Sequence, residues 1–91
     1  MLKIEVRNSF IKDLKLLKGS SSYEKIRSFV FSELPAADDI ESLAYFKKLR
    51  GYKNYYRFKI GDYRIGFSKF NNHIIIERVL HRKEIYRYFP R

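Results

Sequence analysis

The stretch Tyr55–Phe70, YYRFKIGDYRIGFSKF, decides the fold. Two runs of alternating apolar and polar residues flank Gly61-Asp62. A two-residue Gly-X loop between such runs signals a hairpin, because glycine supplies the positive φ of the first loop position. The loop fixes a register in which Ile60 opposes Tyr63, Lys59 opposes Arg64, Phe58 opposes Ile65, Arg57 opposes Gly66 and Tyr56 opposes Phe67. Successive side chains alternate faces. One face therefore collects Tyr56, Phe58, Ile60, Tyr63, Ile65 and Phe67, a core. The other collects Arg57, Lys59 and Arg64 beside Gly66 and Ser68, three cations on a surface kept low by two small residues. Like charges directly opposite each other destabilise a sheet, so the Lys59–Arg64 pair points to an anionic ligand. A solvated basic face is the plainer alternative.

Charge placement favours the anion. Net charge is +10 over 91 residues. Residues 1–46 carry seven Lys/Arg and seven Asp/Glu, whereas residues 47–91 carry thirteen and three, so the whole excess lies in the second half. That asymmetry points to a polyanion, nucleic acid or an acidic protein. A membrane surface would call for a basic amphipathic helix, and this half reads as strands. Hydrophobic content of 45%, with 18% aromatic, supports one packed domain over residues 1–91. The chain has no cysteine, hence no disulfide or thiolate chemistry. No apolar run approaches the length of a membrane span, and MLKIEVRNSF is too polar for a signal-peptide core. A cytoplasmic location is expected.

Outward from the hairpin, Leu2, Ile4 and Val6 alternate with charged residues as a short strand. Asn8 or Ser9 is placed to cap a helix carrying Phe10, Ile11, Leu14 and Leu17, ended by Gly19. Ser21 and Glu24 have capping-box spacing and start a second helix striped by Ile26, Phe29, Val30 and Leu34; Phe31 falls off the stripe, and Pro35 stops the helix. Residues 43–49 are ambiguous and compatible with a short strand. Arg50 to Asn54 is a basic loop. Asn71-Asn72 suits a type I′ turn into a last strand, His73 to His81. Its apolar residues do not alternate cleanly, so it is expected in the sheet interior. Arg82 to Tyr88 suits a terminal helical turn. The whole is α+β: two N-terminal helices packed on a twisted, mainly antiparallel sheet of four or five strands, with a short C-terminal helical turn.

The strand, the helical hairpin, then LRGYKNYYRFKIGDYRIGF and IIIERVLHRKEIYRYF together resemble the RelE/ParE superfamily of bacterial toxin–antitoxin toxins, RelE-like branch, over essentially the whole chain. The specific parts are Leu49-Arg50-Gly51, the block from Tyr56 to Arg64, and Leu80 to Tyr86. The resemblance implies a ribosome-dependent mRNA endonuclease that inhibits translation. Its implied partners are the ribosome, mRNA and a cognate acidic antitoxin in a hetero-oligomeric complex. Carried over position by position, the family's catalytic set falls on Arg57, Lys59, Arg64, Arg82 and Tyr86, with His81 where a basic residue is common. The first position is often lysine in the family; Arg57 keeps the charge but not a titratable amine.

The residues support that chemistry on their own. Metal-free RNA cleavage uses the 2′-hydroxyl as nucleophile. It needs a base, an acid for the departing 5′-oxygen, and cations for the developing charge. Arginine and lysine supply the last and fork onto phosphate oxygens. Tyr86 among cations is a candidate base; His81 or Lys59 is a candidate acid. Arg50, Lys53, Lys83 and Arg87 are candidate RNA contacts, and Tyr52, Tyr55 and Tyr88 can stack on bases. Plainer roles stand beside these: Tyr86 as a ring capping the sheet, His81 as a structural strand end, Arg50 as a loop anchor. No metal or cofactor is expected, since the acids and histidines of the basic half lack ligand spacing. Two alternatives keep the fold and change the function: a ParE-like DNA gyrase poison, and a non-catalytic RNA- or ribosome-binding module.

Overall fold

The computed structural model describes residues 2–43 and 46–90. Five strands form one sheet in the order β1-β5-β4-β3-β2: β1 (Lys3–Val6), β2 (Lys47–Lys48), β3 (Tyr55–Ile60), β4 (Tyr63–Phe70) and β5 (His73–His81). Only β1 and β5 run parallel. Of the ambiguous segment 43–49, residues 44 and 45 lie outside the described residues, and β2 occupies Lys47–Lys48. The β3–β4 register is the one read from the sequence, down to Lys59 opposite Arg64 and Arg57 opposite Gly66. Gly61 opens the turn with φ +57°.

Helix α1 (Asn8–Leu16) and a second helical run pack on the apolar face. The run comprises α2 (Tyr23–Ser28), a π turn (Phe29–Glu33) and α3 (Leu34–Ala36). Phe10, Leu14, Ile26, Val30 and Leu34 meet Phe58, Ile65, Phe67, Ile74 and Ile76 there, all buried. Pro35 does not stop the run but sits in its last turn. In a regular helix its ring would strike the carbonyl four residues back; the wider π turn just before it suits that constraint. Phe31 is exposed, its ring 6.5 Å from Phe10.

Three local expectations are corrected. The first helix is capped by Arg7, with no side-chain bond, and Ser9 instead donates to the Glu77 carbonyl at 2.6 Å. The second helix begins after Ser22 without a capping box, while the Ser20 hydroxyl accepts from the Ser22 N–H. At Asn71-Asn72 only Asn71 takes a positive φ, so the turn is not type I′.

The last strand explains its own broken alternation. A bulge opposite Gly66/Phe67 makes Glu77 an extra residue, since Phe67 pairs with Ile76 but Gly66 with Arg78. Ile74, Ile76 and Val79 consequently share the buried face despite their uneven spacing. β1 ends opposite Ile76, so beyond it β5 needs other partners for its outer edge. Helix α1 supplies them: Ser9 takes the Glu77 carbonyl, and Asp13 accepts the Val79 N–H at 3.1 Å.

Candidate active site

The second sheet face builds the site. Opposed residues share a face, so Lys47, Arg57, Gly66 and Arg78 form one row across β2, β3, β4 and β5, and Lys59, Arg64 and Leu80 form the next. The gap over Gly66 is not an open floor. A one-turn helix, α4 (Ile85–Tyr88), crosses this face, and Phe89 after it fills the space. A Cβ on Gly66 would lie 2.5 Å from the Phe89 ring. Leu49, Ile85 and Phe89 make a small second core, backed by Tyr55 and Leu80. Gly66 thus admits a ring of this chain, and the cationic surface lies beside it.

That surface is a cleft of about 450 Å³ lined by Lys47, Arg50, Tyr52, Arg57, Tyr86 and Pro90 among others. Arg57 is half-buried there, and its Nε is buried without a hydrogen-bond partner among the described residues. Arg64 is buried, with Nη1 donating to the Gly61 and Tyr63 carbonyls at 3.0 and 3.1 Å. Burial and then repulsion from Arg57 pull the Arg64 guanidinium below its ordinary value; Tyr86 pulls it back, Arg82 lowers it further, and Asp62 raises it. Those interactions place Arg57, Arg82 and Tyr86 within electrostatic reach of one buried cation. Arg82 also stands 3.9 Å from Asp62, and its N–H donates to the Asp62 carbonyl at 2.7 Å. Tyr86 is 58% exposed, so it is not a ring capping the sheet. Lys59 is exposed on the same face by its register with Arg64, at the hairpin end, where it also borders a pocket with Phe29 and Glu33 rather than the Tyr86 cleft.

His81 is not brought to this cluster. It pairs with Tyr63, whose face is the helix-covered one, and its ring meets Tyr63 edge-on at 5.6 Å. Its Nδ1 accepts the Lys83 N–H at 3.1 Å. The bulge at Glu77 causes this: it shifts the facing of everything after it by one residue, turning His81 away from Arg64.

Of the RNA-contact candidates, Arg50 and Lys53 line a hollow in the loop beside the cleft, and Lys83 and Arg87 are exposed around α4. Tyr55 is half-buried, edge-on to Phe89 at 5.5 Å, which makes it a wall of the second core. Tyr52 is exposed at the cleft, and Tyr88 lies under the Arg78 guanidinium at 5.6 Å. Sequence reasoning missed Lys47 and Arg78. A two-residue strand shows no periodicity, so only pairing with Arg57 reveals the facing of Lys47. Arg78 was hidden by the bulge. Among the described residues no group of three or more His, Asp or Glu is arranged to hold a metal, and no described helix is long and apolar enough to cross a membrane.

Comparison with known proteins identifies the family and the fold. Residues 4–86 match the family model described as the ParE toxin of type II toxin–antitoxin systems. The chain is 40% identical over 90 residues to Toxin RelE3 of Methanocaldococcus jannaschii, covering 98% of this chain and all of the relative. Its fold matches the toxin–antitoxin RelB–RelE complex from Methanococcus jannaschii with TM-score 0.75 and 37% identity, over 94% of this chain and 99% of that one. The E. coli DinJ–YafQ complex matches with TM-score 0.73 over 94% and 99% of the two chains, a likeness of fold at 17% identity. The chain belongs to the ParE toxin family of type II toxin–antitoxin systems and is a RelE-like toxin.

Proposed function

We propose that this toxin is a ribosome-dependent mRNA endonuclease, silenced in the resting cell by a cognate acidic antitoxin. The observation that carries the reading is the orphaned Arg57 Nε in the cleft that Tyr86 lines, with buried Arg64 within electrostatic reach of both. A buried donor without an acceptor calls for one, and a phosphate oxygen suits a guanidinium. Arg57, Arg64 and Arg82 hold the scissile phosphate and stabilise the charge that grows on it. Tyr86, reacting as the phenolate, takes the proton of the 2′-hydroxyl. The 2′-oxygen attacks phosphorus, the P–O5′ bond breaks, and Lys59 protonates the departing 5′-oxygen. The products are a 2′,3′-cyclic phosphate and a 5′-hydroxyl. His81, on the other face, takes no part. Arg50, Lys53, Lys83 and Arg87 hold flanking phosphates, and Tyr52 offers a ring for a base.

The antitoxin follows from the solved RelB–RelE relative, an antitoxin–toxin complex, and from the confinement of the +10 excess to the half that builds the site. An acidic chain would associate quickly with that half and cover the cations. The other reading, poisoning of DNA gyrase, is favoured by the ParE description of the family. Primer extension on an mRNA with and without ribosomes separates them. The endonuclease gives new 5′ ends only when ribosomes are present, and at least about 10²-fold fewer with Arg64→Ala. Intact mRNA together with blocked supercoiling would select gyrase instead.

A further inference from the structure

Tyr86 stands on a helix of one turn, too short to hold itself, so its position must come from outside. Residues 85, 88 and 89 share one face of the turn. Two of its anchors are apolar: Ile85 and Phe89 are buried in the second core. The third contact is polar. The Arg78 guanidinium lies 5.6 Å from the Tyr88 ring centroid. Arg78 is itself fixed from the far side of the sheet, because its Nε and Nη2 donate to the two carboxylate oxygens of Asp13 at 2.7 and 2.9 Å. Asp13 is 6% exposed on α1 and also accepts the Val79 N–H. This hydrogen-bonded fork holds the guanidinium firmly charged, above its ordinary value. One guanidinium therefore ties the helical layer to the site layer, where β1 has ended and left a gap in the sheet edge.

We infer that Asp13, Arg78 and Tyr88 are positioning residues: the carboxylate orients the guanidinium, the guanidinium sets the roll of α4, and the roll places the Tyr86 hydroxyl over the cleft. The two apolar anchors fix how deeply α4 sits, and the contact with Arg78 adds a constraint on its roll. A planar cation against a ring resists that rotation, because the interaction weakens as the ring turns off the guanidinium. Tyr86 follows Tyr88 rigidly, two residues away on the same turn. The assignment of a catalytic consequence rests on the endonuclease reading; the positional one does not.

The test has two arms on the full-length toxin. In the first, a fluorotyrosine replaces Tyr86 alone, and its fluorine NMR shift is followed. Tyr88→Leu and Arg78→Lys should move and broaden the resonance, while Tyr88→Phe, which keeps the ring, should leave it at the parent position. In the second, cleavage of ribosome-bound mRNA is measured with unmodified Tyr86. Tyr88→Leu should lower kcat on the order of 10²-fold, as a misplacement of about 1 Å does, with KM unchanged; Tyr88→Phe should retain activity. Tyr88 sits at the rim, so its variants keep the fold even where Asp13→Asn does not. An unmoved fluorine resonance in Tyr88→Leu overturns the inference. A moved resonance in a protein that never cleaves mRNA supports the positioning and removes the endonuclease reading.

Discussion

Replacing Gly66 by alanine tests how α4 is held. Gly66 has an ordinary strand φ, so the added methyl strains no backbone; its difficulty is the Phe89 ring, with Cδ2 at 2.5 Å and Cγ and Cε2 at 2.7 Å from the new Cβ. Carbon atoms pack at about 3.5–4.0 Å, so the ring must retreat by roughly 1 Å or leave. β4 cannot yield, since it is hydrogen-bonded on both sides by β3 and β5. Phe89 is 2% exposed, wedged with Leu49 and Ile85, and its removal from that site forfeits about 1.5–3 kcal/mol of burial. At 1.4 kcal/mol per factor of ten, the docking equilibrium constant of α4 falls by roughly 10- to 100-fold. Hydrogen exchange reads this directly at the Phe89 amide, which donates to the Ile85 carbonyl at 2.8 Å. Urea denaturation of the double-mutant cycle supplies the energy. Gly66→Ala should cost about 1.5–3 kcal/mol beside Phe89 and only a few tenths in a Phe89→Ala background. Equal costs in the two backgrounds would refute the socket.

Other outcomes follow from the same geometry. Arg64→Ala and Arg82→Ala should each lower single-turnover cleavage by about 10²–10³-fold, the loss expected for one donor to developing charge, and Tyr86→Phe by about 10²–10⁴-fold, with circular dichroism unchanged. Inorganic sulfate at ten times its Kd should add about 1.4 kcal/mol to stability, roughly 6–11 °C in Tm, and this gain should vanish in Arg57→Gln if the orphaned guanidinium is the anion's seat. Asp13→Ala leaves a half-buried guanidinium and the buried Val79 N–H unpaired and should cost about 1–3 kcal/mol in urea denaturation. Expressed alone the toxin should arrest growth, and expressed with the neighbouring gene it should copurify with a small acidic protein; harmless, abundant expression of the lone toxin contradicts this.

The sequence held the hairpin because two kinds of information coincide there. Gly61-Asp62 permits only a tight loop, and strict alternation on both sides leaves one register that buries Phe58, Ile65 and Phe67 together. Arg57, Lys59 and Arg64 inherit their common face from that register. The end of β5 was not legible, because a bulge has no local signature in IIIERVL. Without it Asp62 would oppose His81, which would face the cluster. With Glu77 extra, Tyr63 opposes His81 instead, and the histidine joins the helix side. Gly66 and Ser68 were read as a low floor beside the cations, but the space over Gly66 is filled by Phe89, a contact between positions far apart in the chain. The Asp13–Arg78 fork joins residues 65 apart in the chain, and pattern alone cannot pair an acid with one of many cations.

If Arg57, Arg64, Arg82 and Tyr86 drive attack of a 2′-hydroxyl on the neighbouring phosphate, the end groups of mRNA recovered after toxin treatment of translating ribosomes carry its mark. Such attack leaves fragments ending in a 2′,3′-cyclic phosphate and beginning with a 5′-hydroxyl, formed by the wild-type toxin and lowered at least about 10²-fold with Arg64→Ala and Tyr86→Phe. Fragments beginning with a 5′-phosphate, or cyclic ends formed equally by the Arg64→Ala protein, would contradict it.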